Sequence, residues 1–368
     1  MKDFTSKLPL PVAALALGWV LLGNIFKNLI PFLSDICMII SLILLILIVL
    51  KLILDTKSFY KSLKSPVGLS LFSSFSMSLM LISVWMKVVL DKANIYIWIV
   101  GVVLHTIIMI IFTLKYVLNF KMKYVFSSWF LVYSGIGVAA ITCNDFGMIV
   151  FGRTVLKFCM GVSLVLVPFV LARIKSIGST QAARPIFSLI SLPLGLILPA
   201  SVLISYPLSA RTMWIMFIII QVILLFVLID MLIQIFHGFY PSWSCYTVSV
   251  SVSVYASMYF NKYLALNKMK VAFIDYLLYF EYVLVFLVCA LILLAYFINT
   301  LEDPELHNKK IQKKIAYEKS RREKRMENKR NRESYRKRDT ESDSREKTKR
   351  NESIVTFEDD DDIMDLID

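Results

Sequence analysis

The chain offers few residues able to do chemistry, and most of them stand inside long apolar runs. Arg153 and Lys157 are four apart, so a helix presents them on one face. Lys157 falls about ten residues into its run, ~15 Å deep at 1.5 Å per residue. Glu281 lies at a similar depth in the last run. A charge that deep is a candidate functional site, because hydrocarbon does not solvate it. Three roles fit: a Lys157–Glu281 pair within or between subunits, a proton or anion site, or snorkelling of Arg153 to the interface. Asp230 and Asp275, nearer the ends of their runs, read as solvated. The cysteines Cys37, Cys143, Cys159, Cys245 and Cys289 form no CxxC pair and read as small buried hydrophobes. His105, His237 and His307 are scattered, with no HExxH, so neither a metal nor another cofactor is expected. A catalytic constellation would need these residue types closer together, and an enzyme is not expected.

Hydroxyls are the more abundant chemistry. The stretch TVSVSVSVYAS, 247–257, alternates with the period of a half-buried strand. A lone strand in lipid would leave its backbone unpaired, so the stretch must be helical. At 100° per residue, Ser242, Tyr246, Ser249, Ser253 and Ser257 share a sector of ~80°. Ser244, Ser251 and Tyr255 fall roughly opposite, with Val248 beside them. One stripe would face a central pathway and the other a neighbouring helix. Alternatively, the hydroxyls bond back to their own carbonyls.

The elements that must position these residues are membrane helices. The chain has 368 residues, 58% hydrophobic, with a mean hydropathy of +0.69. Soluble domains hold about 45–50% apolar residues. Apolar runs near the length that crosses a bilayer recur to about residue 300. Ten spans are predicted: 9–27, 30–54, 66–88, 94–114, 124–143, 147–172, 184–206, 212–236, 243–261 and 271–299. The first run follows only two lysines and lacks a small-residue cleavage site, so it reads as a mature helix. Odd and even spans differ in texture. The odd ones carry Pro11 and Ala14, then Ser70 and Ser74, then Ser134 and Gly135, then Ser188 and Pro193, then the serine stretch. Even spans such as IISLILLILIVLKLIL, 39–54, are greasier. The fold class that follows is an all-α membrane protein of five helical hairpins, small and polar helices inside, apolar ones facing lipid. Such an interior either packs tightly through its small residues or leaves a narrow central pore.

Charge completes the outline. Residues 1–301 hold 21 Lys/Arg against 8 Asp/Glu, which is the whole net charge of +13. Basic residues concentrate in the loops after the even spans, among them Lys57, Lys64, Lys121, Lys123 and Arg184, which predicts cytoplasmic N- and C-termini in a cell membrane. Residues 302–368 form a second region, a charged tail expected to be disordered or helical. Its basic part, 309–350, reads as a solvated spacer, or would bind anionic lipid or nucleic acid. The acidic end FEDDDDIMDLID, 357–368, would fold back on that basic part.

Several stretches together resemble the tellurite-resistance/dicarboxylate transporter family, which includes the slow anion channels of plant guard cells. They are LPLPVAALALGWVLLGN at 8–24, SSWFLVYSGIGVAAIT at 127–142, Pro185 and Pro193 eight apart, and WSCYTVSVSVS from Trp243. The resemblance covers about 8–300 and excludes the tail. It implies a pore through five hairpins, lined by the odd helices, in each subunit of a homotrimer. It implies small inorganic or carboxylate anions as cargo: chloride, nitrate, sulfite, malate, tellurite. It also implies a gate on the ninth helix, where a phenylalanine plugs the pore in the family and Val248 stands here. Valine would plug less well, although an apolar constriction also gates by dewetting. Pore-lining candidates are Pro11, Ala14, Ser70, Ser74, Ser134, Gly135, Ser188, Pro193, Ser244, Ser251 and Tyr255. The expected function is a channel or transporter for small anions. The alternatives are a proton-coupled C4-dicarboxylate, tellurite or sulfite carrier, and a membrane sensor acting through its tail.

Overall fold

The structure is a computed structural model that describes residues 8–177 and 180–301, together with Ala316 and Ser320. The chain divides between Thr300 and Leu301 into two units. The expectations for the charged tail therefore lie outside the described residues, those two positions apart.

The described part of the first unit is helix and turn, with no strand. Its main helices are α1 (Val12–Phe26), α2 (Pro31–Leu54), α3 (Thr56–Leu63), α4 (Pro66–Trp85), α5 (Asn94–Phe112), α6 (Trp129–Tyr133), α7 (Gly137–Thr142), α8 (Ile149–Ile177), α9 (Leu192–Leu203), α10 (Ala210–Ile235), α11 (Ser244–Leu266) and α12 (Ala272–Leu301). Local sequence sets several starts. Ser65 Oγ accepts the Gly68 N–H at 2.9 Å and Pro66 follows it, so α4 begins capped with its fixed-φ residue in the first turn. Ser209 Oγ accepts the Thr212 N–H at 3.1 Å and starts α10. The basic loop expected after the second span holds the short helix α3, capped by Asp55.

Among the described residues, seven helices are long and apolar enough to cross a membrane: α2, α4, α5 with its flanking turns, α8, α9 with the turn before it, α10 and α12. The three other predicted spans take different forms. The first is α1, only 15 residues. The ninth is α11, 23 residues of helix diluted by serine. The fifth, expected as one helix, is broken into α6 and α7. There the Gly135 N–H donates to Phe130 O at 2.9 Å, a step beyond the α-helical bond, and a Cβ on Gly135 would lie 2.0 Å from Leu131 O. The seventh is also irregular: a 3-10 segment Gln181–Ser191, containing Pro185, runs into α9 with Pro193 in its first turn.

Packing sorts these elements into two layers. α1 lies against α4 and α11, α4 against α6 and α7, those two against α9, and α9 against α11, so five segments close a ring. Outside it, α2 backs α1, α5 backs α4, α8 backs α6 and α7, and α10 backs α9 and α11. α12 fits between α11 and α1, with Ser251 Oγ 3.5 Å from Cys289 Sγ and the Phe26 ring 6.2 Å from that of Tyr282. The ring helices α4 and α9 are 72% buried over their most apolar stretch, against 28% for the outer α5. The outer surface is a coat of large apolar side chains such as Ile43, Val103, Val222 and Leu287. A helix that buries its polar face and exposes its apolar face fits lipid as its solvent.

Candidate functional site

The ring is the candidate site, and α11 has the most readable geometry within it. Both polar stripes of α11 meet neighbouring helices. On the first stripe, Ser249 Oγ donates to Ser188 Oγ at 2.7 Å, the Tyr246 hydroxyl donates to Asp230 Oδ2 at 2.5 Å, and Ser257 Oγ accepts from Gln221 Nε2 at 2.8 Å. On the second, Ser251 Oγ donates to Gly18 O at 3.1 Å. Back-bonding occurs as well: Ser253 Oγ donates to Ser249 O at 2.8 Å and Thr247 Oγ1 to Ser244 O at 2.7 Å. These contacts fix the sectors of α11. Tyr246 and Ser257 face α10, Asn261 faces α12, Thr247 and Ser251 face α1, and Ser249 and Val252 face the seventh segment. At 100° per residue, the remaining sector, between those that face α1 and the seventh segment, carries Val248, Tyr255 and Tyr259, while Ser244 lies beside Tyr296 of α12. Val248 and Tyr255 are buried, and the Tyr255 and Tyr259 rings lie 4.9 Å apart. Ser244 Oγ bonds back to Pro241 O at 3.1 Å.

The other pore-lining candidates are spread round the same ring. Ser70 Oγ lies 2.7 Å from Ser128 Oγ, joining α4 to the start of α6. Ser134 Oγ, at the break of the fifth segment, lies 2.9 Å from Ser163 Oγ of α8. Gly135 lets Met77 close in, and Pro193 is buried at the start of α9. Ala14 is fully buried, while Pro11 is half-buried just before α1. Three buried ring hydroxyls, those of Ser73, Ser74 and Ser127, have no hydrogen-bond partner.

The charges are arranged differently from expectation. Arg153 and Lys157 are both exposed on α8, whereas Glu281 is 1% exposed and neither of its carboxylate oxygens has a hydrogen-bond partner. The Lys157–Glu281 pair therefore does not form within the chain. Glu281 sits instead beside Gln221 and Ser257, close enough to feel their dipoles but not at bonding geometry. Asp230, expected to be solvated, forms an ion pair with Arg184, Nη2 to Oδ1 2.8 Å, besides accepting from Tyr246. Asp275 accepts from Asn261 Nδ2 at 2.7 Å. Arg184, Asp230 and Ser188 line a groove of about 440 Å³ with Phe187, Ile223 and Phe226. Arg173, one residue past the predicted sixth span, is buried on α8 with its guanidinium 4.6 Å from the Phe126 ring centre.

Two polar residues were missed. Gln221 is a lone amide in IIIQVILL, and its isolation in an apolar run was the available signal. His105 is fully buried, with Nδ1 2.9 Å from Ser76 Oγ and Nε2 3.0 Å from Val132 O, and no spacing in the sequence announces those partners. Among the described residues no three His, Cys, Asp or Glu side chains group as a metal site, and the five cysteines are free and buried. Compared with known proteins, the chain matches no family model and no curated sequence.

Proposed function

We propose that this chain is a multi-pass channel or transporter that passes small anions along the axis of the five-segment ring. In this reading ten membrane segments form five hairpins of the tellurite-resistance/dicarboxylate transporter type. Both termini are cytoplasmic and the assembly is a homotrimer. The observation that carries the reading is the ring itself: five hydroxyl-rich or interrupted segments close on one another, with the apolar helices outside. Two features support a path over tight packing alone. Broken backbone at membrane depth, as at 134–136 and Gln181–Ser191, is tolerated where it is buried in protein or lines water. The partnerless hydroxyls of Ser73, Ser74 and Ser127 would be satisfied by water or a passing anion. An anion would move past hydroxyls and backbone dipoles, held weakly enough to leave, and the basic excess of residues 1–301 would concentrate it nearby. Val248 is the constriction.

The test is anion flux through liposomes holding purified protein, with chloride, nitrate and malate in turn, for wild type and Val248→Phe. Flux in wild type that the phenylalanine blocks is the expected result. Saturable malate uptake that follows a proton gradient would replace the channel with the carrier. Absence of flux for every anion would sink both.

A further inference from the structure

We propose that Glu281 is a proton-binding site: a neutral acid that holds α10 and α12 against α11, and that loosens this seam when it loses its proton. The site lies outside the ring, where three helices meet. Glu281 comes from α12, Ser257 from α11 and Gln221 from α10, with Gln221 Nε2 donating to Ser257 Oγ at 2.8 Å beside the carboxyl. Glu281 is 1% exposed, and both of its oxygens lack a hydrogen-bond partner.

No cation balances a carboxylate there. The other charged residues on the three helices are Arg211, Asp230, Lys262 and Asp275. Asp230 is engaged by Arg184 and Tyr246, and Asp275 by Asn261. Arg211 is exposed, and its ten-residue separation from Gln221 is ~15 Å of helix. Lys262 is exposed beyond Asn261. The first helix offers only the Phe26 ring, which packs on Tyr282, the one titratable neighbour next to Glu281 on its own helix. An unpaired carboxylate in such surroundings is far more costly than the acid. As the acid, Glu281 can donate its proton to Ser257 Oγ after a small side-chain rotation. As the carboxylate, it must draw in water or part the helices. The packed state therefore binds the proton more tightly than the loosened one, so the seam is firm at low pH and weakens as pH rises.

The experiment uses the full chain in lipid nanodiscs. Infrared spectra at neutral pH are expected to contain a protonated-carboxyl C=O band that Glu281→Gln removes. Amide hydrogen exchange in α11 and α12 is expected to gain protection as pH falls, beyond the intrinsic chemistry, with that gain lost in Glu281→Gln. Ser257→Ala keeps the acid but removes a partner, so its C=O band should shift to higher frequency, and this decides the matter if Glu281→Gln fails to fold. An ionised Glu281 at neutral pH, an unshifted band in Ser257→Ala, or the same pH response in Glu281→Gln would each overturn the proposal. None of these readings needs anion flux, so a silent flux assay and a failed proton site remain separate results.

Discussion

His105 illustrates what single residues do in this interior. It sits on α5, but its two ring nitrogens reach Ser76 on α4 and Val132 on α6, so one side chain ties an outer helix to two ring segments. Replacing it with leucine keeps the volume roughly and removes both bonds; the Ser76 hydroxyl keeps the Ser73 carbonyl as its acceptor at 2.8 Å, while the buried Val132 carbonyl loses its ring partner. An orphaned buried polar group costs about 1–3 kcal/mol. His105→Leu should therefore lower the thermal midpoint in detergent or nanodiscs, while Ser76→Ala, which frees only one nitrogen, should lower it less. Equal effects would mean that Val132 carries no weight. The sequence made such residues visible as polar interruptions in apolar runs, and for Glu281 that was enough to single it out. It did not make partners visible, because Ser76 and Val132 are 29 and 27 residues from His105. The Lys157–Glu281 pair does not form within the chain for the same reason: matching depth says nothing about which face of a helix points inward.

At the level of elements, the contact of α1 with α11 shows how the ring closes. A Cβ on Gly18 would lie 2.4 Å from Thr247 Oγ1 and 2.6 Å from its Cβ, so the two backbones meet where one of them has no side chain. Gly18→Val should separate the helices, with an overpacking cost of about 1–3 kcal/mol, and should alter any flux through the ring. Gly161 on α8 is the counterpart, since a Cβ there meets nothing within 4 Å. Gly161→Ala should leave folding intact or raise stability by up to about 1 kcal/mol through helix propensity. Thermal unfolding of the two variants side by side checks both signs. The texture of the odd spans was legible because small and hydroxyl residues mark helices that pack closely. The break in the fifth was not, because Ser134, Gly135 and Gly137 read equally well as the small residues of a closely packed continuous helix. At the break Gly135 lies against Met77 of α4, a contact that no local pattern records.

The whole molecule has a polarity that its contacts define. Cys289 meets Ser251, Asp275 meets Asn261 and Tyr296 meets Pro241, so α12 runs antiparallel to α11. Gly18 lies against Thr247 and Ser251, and Phe26 against Tyr282 and Phe286, so α1 runs parallel to α11 and against α12. The start of α1 and the end of α12 therefore lie at the same end of the bundle. The C-terminal end of α2, followed by Lys57, Lys61 and Lys64, lies there too, because α2 follows α1 through a short turn and packs back along it. Basic residues thus gather at the end where the chain enters and leaves. In the proposed topology that end is the cytoplasmic one, the side on which an excess of Lys/Arg is expected. Protease sites placed before residue 8 and after residue 301 should both be protected in intact cells and both be cut in inside-out vesicles. A site in the turn at 205–209, between the seventh segment and α10, should behave in the opposite way. Cutting of one terminus from each side would require an odd number of crossings and would remove one segment of the ring from the membrane. The segment to test first would be α1, whose 15 residues fall short of the helices long enough to cross, so lengthening its apolar stretch is the control that separates a mis-inserted α1 from a wrong topology.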